Sequence, residues 1–297
     1  METVACPLGC PAGDHVVITA GDRLHGRPGR WSVVQCRSCG LRRTSPRPTA
    51  ADIGAFYPDA DYRPFQLRER AHGWRDWFHF SDRSVPDMEA GRMLEIGAAT
   101  GHFMVEMRER GWLVHGIEPS RHAAHAAQAL GLDVHVGQVE TAPAPTNPYD
   151  LVVGWMVLEH LHEPVGALRR IHSWTRSGAR LVLSVPDNAS LEARVFKDMW
   201  YALQLPTHLF HYTPDTIAKV LAAGGWQVER VMYQRVLTNA MVSFGWCVAA
   251  RWPARGVGRW LIDFPLKGRW HYALFPLSAA MAALGQTGRI TVWATRI

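Results

Sequence analysis

The chain has 297 residues, of which 47% are apolar, and a formal net charge of +6. A chain of that size can bury a full core and still carry an accessory domain, so one large or two unequal domains are expected. The N-terminus shows no basic segment followed by a long apolar run, and the apolar stretches near the C-terminus are short and broken by Pro276. This pattern argues against an exported or membrane-spanning protein and predicts a cytoplasmic one.

Four of the five cysteines fall in the first 39 residues, as "CPLGC" and "CRSCG". Three residues separate Cys6 from Cys10 and two separate Cys36 from Cys39, each pair flanked by Gly or Pro that permits a tight chelating turn. Four thiolates offered in pairs suit a closed, tetrahedral, structural Zn²⁺ site. Disulfides are the competing reading, disfavoured in a reducing compartment. Cys247 stands alone and reads as a small buried hydrophobe. "HVVITAG" and "WSVVQC" read as short strands, so residues 1–48 are expected to form a zinc ribbon too poor in core to fold without metal. Residues 49–90 are expected to be a helical linker or lid.

From residue 91 onward the pattern changes. "MLEIGAATGHF" leaves a strand through small residues and enters a helix whose apolar positions Phe103, Met104 and Met107 recur at helical spacing until Gly111 ends it. Further strands are expected at 112–118, 133–136, 149–157 and 179–186, separated most clearly by helices at Arg121–Leu130 and Pro164–Thr175. "QVERVMYQRV" and "RITVWATR" supply two last strands, which usually pair antiparallel at a sheet edge. The fold class is therefore α/β, a doubly wound, mostly parallel seven-stranded sheet over 91–297 with its ligand at the carboxyl ends of the strands.

A dinucleotide-binding loop would read G-x-G-x-x-G and place a pyrophosphate on the helix N-terminus. Here Glu95 precedes Gly97, Ala98, Ala99, Thr100 and Gly101. A carboxylate at that point repels pyrophosphate but attracts the cationic amino-acid part of S-adenosylmethionine, and the glycines let backbone approach a nucleoside. Glu118, ending the second strand, is placed to accept from both ribose hydroxyls, although dinucleotide folds use an acid there too. Gln138, in the loop with Val139, could pair with an adenine edge.

With these residues in view, the stretch from Arg92 to Asp187 resembles a class I S-adenosylmethionine-dependent methyltransferase, through "LEIGAATGHF", "GIEPS", "VLEHLHEP" and "LVLSVPD". The N-terminal "CPLGC…CRSCGLRRTSPRP…FYPDADY" is similar to zinc-containing enzymes that modify sugars, including nucleotide-sugar C-methyltransferases. The resemblance implies S-adenosyl-L-methionine as cofactor, held by Glu95, Gly97, Ala98, Gly101, Phe103, Glu118, Pro119, Gln138, Val139 and Trp155. One departure is Ala99, where the usual glycine-rich loop has its second glycine.

Methyl transfer from a sulfonium is an in-line displacement, served by positioning and, where the acceptor must lose a proton, by a base. "MWYALQLPTHLFHYTPDTI" follows the fifth strand and would cross the cofactor pocket. The resemblance places His208 facing the acceptor as base, with Tyr201 and His211 as neighbours. Glu159 and His160 could face the cofactor or acceptor, but His160 and His162 would splay on a helix, so no catalytic metal is predicted.

Thr213-Pro214-Asp215 opens a further helix, with a hydroxyl cap and Pro in the first turn. The insert at about 237–288 is apolar, aromatic and punctuated by Arg. From Glu229 to Ile297, nine Arg or Lys face only Glu229 and Asp263, which suggests an anionic neighbour or a solvated basic face. Three readings compete for the insert: a lid over the acceptor site, a dimer surface, or a peripheral contact with the inner face of a membrane. The functional expectation is methylation of a small-molecule or glycan-precursor acceptor, free or lipid-linked, at a sugar hydroxyl or carbon. Its rivals are an RNA methyltransferase gripping nucleic acid through the ribbon and basic surface, and a cofactor-binding scaffold without turnover.

Overall fold

The computed structural model describes residues 1–57, 87–253, 256–267 and 273–297. The N-terminal sheet contains β1 (Asp14–Ala20), β2 (Trp31–Cys36) and β3 (Arg42–Thr44), all antiparallel neighbours. Its fourth strand, β9 (Phe210–His211), comes from the other half of the chain and pairs with β3, Arg42 opposite His211 and Arg43 opposite Phe210. The ribbon is thus joined by main-chain pairing to the segment that carries the candidate base. Most of the expected linker, residues 58–86, lies outside the described residues. Before it, Ile53–Phe56 forms a single 3-10 turn.

The large sheet contains β4 (Arg92–Ile96), β5 (Leu113–Glu118), β6 (Asp133–Val136), β7 (Tyr149–Trp155), β8 (Thr175–Pro186), β10 (Trp226–Tyr233) and β11 (Arg289–Arg296). Their order is β10-β11-β8-β7-β4-β5-β6, parallel from β8 to β6, with β11 antiparallel to both β8 and β10. The seven-stranded, mostly parallel expectation is borne out. Side chains alternate cleanly between the two faces. Leu94, Val152, Leu181 and Val292 face one core, which α3 (Pro164–Ser173) and α5 (Pro214–Ala223) cover with Leu168, Ile171, Ile217 and Val220. Met93, Leu151, Val153, Val182 and Trp293 face the other, where α1 (His102–Glu109) and α2 (Arg121–Ala129) contribute Phe103, Met104, Met107, Ala124 and Ala127. Parallel strands buried on both faces explain why β7 and β8 read as continuous apolar runs.

Two boundaries differ from the sequence expectation. β7 stops at Trp155, not 157, because Met156 turns into the left-handed region at φ +58 and sends the chain back over the glycine loop. β8 begins at Thr175, not 179. The polar "TRSG" start conceals a strand whose first residue pairs with Tyr149, and Gly178, at φ +72, bends it. α5 starts as expected, with Thr213 and Thr216 closing a reciprocal capping box and Pro214 in the first turn. α4 (Leu191–Phe196) follows β8, and the insert folds into α6 (Thr238–Arg251), α7 (Val257–Lys267) and α8 (Phe275–Ala283).

Candidate active site

The glycine loop sits at the carboxyl end of β4. Gly97 and Gly101 adopt φ +68 and +77, and a Cβ on Gly97 would lie 2.5 Å from Val157 Cγ2, in the turn after β7. A Cβ on Gly101 would overlap Leu132 Cδ1, so α1 approaches α2 closely only because that residue is glycine. Ala99 also holds a left-handed conformation, at φ +48, where an L side chain costs roughly 1–2 kcal/mol.

What holds that strained loop is Glu118. Its Oε2 accepts from the Ala99 backbone N–H and its Oε1 from that of Ser120, each at 2.8 Å. Burial raises the Glu118 carboxyl above its ordinary range, and those two N–H groups oppose the rise. Each carboxylate oxygen has a second lone pair, which leaves acceptor capacity for vicinal hydroxyls. The main-chain carbonyl of Glu118 takes the N–H of Gly137, which brings the loop bearing Gln138 and Val139 alongside. Gln138 and Pro119 are exposed, Val139 and Ala98 buried. Glu95 is buried within β4. Phe103 and Trp155 meet edge to face at 5.1 Å in the core beneath the loop, and the indole N–H of Trp155 is buried with no hydrogen-bond partner. These positions form one continuous edge where β4, β5, β6 and β7 end.

Across the Met156 turn lies a histidine cluster. His208 is buried, its Nδ1 is 2.9 Å from the Ala202 carbonyl, and its ring packs edge to face on His160 at 4.7 Å. An Nδ1–H donating to a carbonyl leaves the Nε2 lone pair as acceptor. His160 repeats the arrangement, with Nδ1 2.9 Å from the Thr207 carbonyl and 2.9 Å from the Tyr57 hydroxyl. Burial, with the charges of His160 and His211 adding to it, holds the His208 pKa well below the usual imidazole value, and burial takes His160 down to about 4. His211 is pushed down to about 3 by burial and then by Arg42, while its Nε2 lies 3.1 Å from the Thr44 hydroxyl. The three rings are therefore neutral at neutral pH.

Glu159 is fully buried beside them with neither carboxyl oxygen in a well-formed hydrogen bond, and burial lifts it to about 8, against the partial relief of its own backbone N–H and then of Arg289. Ligating atoms of Glu159, His160 and His208 lie within 4.8 Å of one another. From the sequence no catalytic metal is expected here, because His160 and His162 diverge. They do diverge, His162 reaching the Pro48 carbonyl, but the fold adds His208 to the other two from a distant segment. Tyr201 also meets the insert: its backbone N–H donates to the Ser243 hydroxyl at 2.8 Å and its ring leans on Trp246 in α6.

The four N-terminal thiols converge, all Sγ atoms lying within 4.8 Å and those of Cys6 and Cys39 at 3.5 Å. Gly9 and Gly40 close the two knuckles in left-handed turns, donating to the Cys6 and Cys36 carbonyls. Burial would raise the Cys36 thiol, yet the N–H groups of Cys39 and Ser38 carry it down to about 7. All five cysteines are free, and four thiols at these separations fit a tetrahedral Zn²⁺ with bonds of about 2.3 Å. Behind the knuckles, Ala20, Trp31 and Val33 of the ribbon share a core with Trp200, Ala202, Leu203 and Leu205, the run that leads to His208.

A family model described as a methyltransferase domain matches residues 66–231, more than half the chain. The chain belongs to that methyltransferase family. Its strand order and glycine loop are those of the class I methyltransferase fold. Among curated relatives, the methyltransferase is 32% identical over 127 residues to a tRNA U34 carboxymethyltransferase of Desulforapulum autotrophicum, covering 40% of this chain and 38% of that protein. It is 28% identical over 152 residues to a ubiquinone biosynthesis O-methyltransferase of Parvibaculum lavamentivorans, covering 48% and 58%. The chain thus spans less than two thirds of either relative. Among solved structures, an N-methyltransferase of Haemonchus contortus in complex with phosphomonomethylethanolamine and S-adenosylhomocysteine superposes with a TM-score of 0.50 at 15% identity, over 75% of this chain and 52% of that one. That likeness shows the fold.

Sequence reasoning missed four residues. Thr44 and Tyr57 contact His208, His211 and His160 from the N-terminal quarter, and nothing local marks them, although Tyr57 stands in the "FYPDADY" of the resemblance. Asp187 and Glu192, just after β8, are buried acids that burial raises to about 6 and about 7. The sharp end of an apolar strand followed by Asp was the available signal for the first of them.

Proposed function

We propose that this methyltransferase methylates a hydroxyl or carbon of a small-molecule or glycan-precursor acceptor, with His208 as the base. The observation that carries the reading is the buried, neutral His208, with Nδ1 tied to Ala202 and Nε2 left as acceptor, reached from the glycine loop through Val157 and His160. S-Adenosyl-L-methionine, when bound, supplies a methyl group on a sulfonium that leaves as the new bond forms. The loop of Gly97, Ala98 and Gly101 gives backbone access to the nucleoside, and Glu118 takes the ribose hydroxyls. Glu95, Phe103, Trp155, Pro119, Gln138 and Val139 border that pocket. His208 orients the acceptor through its Nε2 lone pair and takes the acceptor's proton as the methyl bond forms. Tyr201 and His211 shape the acceptor side. Cys6, Cys10, Cys36 and Cys39 hold a structural Zn²⁺, and residues 1–48 act as the brace of the acceptor segment.

Calorimetric titration with S-adenosylhomocysteine, beside Glu118→Ala, tests the cofactor half. Micromolar binding by the native chain and its loss in the variant are expected. Incubation with nucleotide sugars and glycan lipids tests the acceptor. His208→Ala and His208→Gln should then lose turnover while S-adenosylhomocysteine affinity stays. Full turnover in either variant would remove His208 as base.

A tRNA-modifying relative keeps an RNA acceptor as the second reading. Against it, Arg43 and Arg47 of the basic "RRTSPRP" turn are buried: Arg43 meets Asp14 and the Val4 carbonyl, Arg47 meets Glu2 and the His162 carbonyl. Neither is free to grip a phosphate. RNA that co-purifies and accepts methyl groups would favour that reading.

A further inference from the structure

The insert between β10 and β11 has two unlike faces. The inner face of α6 is buried at Val242, Ser243 and Gly245, and it meets the acceptor segment, Ser243 accepting the Tyr201 N–H and Trp246 packing on the Tyr201 ring. α7 lies tightly across α6: a Cβ on Gly258 would stand 2.6 Å from Ala249 Cα, and one on Gly245 2.9 Å from Ile262 Cγ1. Two helices this close pack as one unit, and several of its residues stand in solvent. Those residues are apolar and aromatic. Phe244, Trp252 and Trp260 are 54%, 48% and 55% exposed, and among the described residues every large aromatic this exposed lies in the insert. Val257 in α7, and Leu277 and Leu284 at α8, are likewise exposed.

Its charge is equally one-sided. Between residues 237 and 288 the sequence has Arg251, Arg255, Arg259, Lys267 and Arg269 against Asp263 alone. Arg251 and Arg259 are exposed, and the Arg251 guanidinium lies over the Trp252 ring at 5.7 Å. Among the described residues no helix is long and apolar enough to cross a membrane. Exposed Trp and Phe interleaved with Arg, on short helices that cannot span, match an element that lies in a bilayer interface with its rings at headgroup depth and its cations on lipid phosphates. A second copy of the chain would bring like charges together at the patch, which disfavours a dimer.

We propose that the α6–α7 hairpin docks on an anionic phospholipid surface and so presents the acceptor segment, through Ser243 and Trp246, to acceptors held at that surface. The lipid contact stands on the hairpin alone, whereas its link to a lipid-linked acceptor rests on the function proposed above.

The test is flotation of the full-length protein with vesicles of phosphatidylcholine alone and of phosphatidylcholine mixed with phosphatidylglycerol. Binding to the mixed vesicles at least roughly tenfold stronger is expected, falling with added salt. Phe244→Ser with Trp260→Ser should lower it roughly tenfold or more, since two interfacial aromatics leave the patch. Arg251→Glu with Arg259→Glu should abolish the preference for anionic vesicles, and because both side chains are exposed this pair keeps the fold even where the apolar pair does not. S-Adenosylhomocysteine titration of each variant reads the cofactor site separately, so loss of lipid binding with cofactor binding intact isolates the hairpin. Equal binding to both vesicle types, no binding to either, or a dimer in light scattering without vesicles that Trp260→Ser dissolves would each overturn the proposal.

Discussion

The Thr44 hydroxyl donates to the backbone carbonyl of His208 at 2.7 Å, and the same oxygen lies 3.1 Å from Nε2 of His211. Thr44 ends β3 of the cysteine ribbon, so a residue whose strand is anchored near the thiols holds the main chain of the candidate base. A buried donor removed from such a pair costs about 1–3 kcal/mol, because the carbonyl is left without its partner. Thr44→Val should therefore melt several degrees lower, whereas Thr44→Ser should behave as the native chain. S-Adenosylhomocysteine affinity should be unchanged in both, since the Glu118 clasp lies on the other side of the Met156 turn. A Thr44→Val protein with native melting would sever the ribbon from His208.

Metal removal should act along the same path. Elemental analysis is expected to give one zinc per chain, falling in Cys36→Ser. Chelation should loosen the core shared by Trp31 and Trp200, which tryptophan fluorescence reads, and lower the melting temperature. Cofactor affinity should survive, because Gly97, Ala99 and Glu118 sit on strands of the large sheet. Zinc-free protein of native stability would refute the assignment.

The glycine loop makes a prediction of opposite sign at neighbouring positions. Ala99 is left-handed, so Ala99→Gly relieves strain while retaining the N–H that Glu118 accepts, and should stabilise the fold by up to about 1 kcal/mol after the entropy of the unfolded glycine is counted. Gly97→Ala should do the reverse, because it combines φ +68 with a Cβ 2.5 Å from Val157 Cγ2. S-Adenosylhomocysteine binding should fall at least about tenfold there and hold or improve in Ala99→Gly. Thermal melts and titrations of the two variants decide it.

Periodicity exposed the sheet because β7 and β8 are buried on both faces, leaving apolar runs between glycine-ended helices, and the knuckles because Cys pairs flanked by Gly allow little else. Glu118 and Gly97 could be singled out as candidates because they sit at strand ends, the edge where a doubly wound sheet carries its ligand. The acceptor side was far less accessible. His208 stood out only through resemblance, since a histidine among 15 carries no local signature, and its meeting with Glu159 and His160 depends on Leu209 N–H reaching the Glu159 carbonyl across a long loop. Thr44 could not be found at all, because a two-residue strand such as β9 has no periodicity to reveal its partner. The ribbon's dependence on the larger unit was hidden for the same reason.

Glu159 supplies a pH signature. Its carboxyl is held near 8 in the folded chain by burial, against 4.5 for the free group. Between those values the folded protein keeps a proton that the unfolded chain has released. The associated stability is fully present below about 4.5 and is lost as pH rises through about 8. Glu192, raised to about 7, adds to the loss. The histidines run the other way: His160 and His211, at about 4 and about 3 against 6.5, stay neutral while the unfolded chain takes up protons, so acid costs stability from 6.5 downward. The two effects oppose each other between about 4.5 and 6.5, and only the carboxyl loss remains above that window. Glu159→Gln keeps the shape and neutrality of the protonated acid and cannot ionise. It should match the native chain at pH 4.5 and below, and exceed it by a margin that grows as pH rises through 6 and levels off above about 8, reaching about 1 kcal/mol or more near pH 9. Denaturant unfolding of both proteins across that range measures the difference, and parallel curves would show that Glu159 is ionised in the folded state.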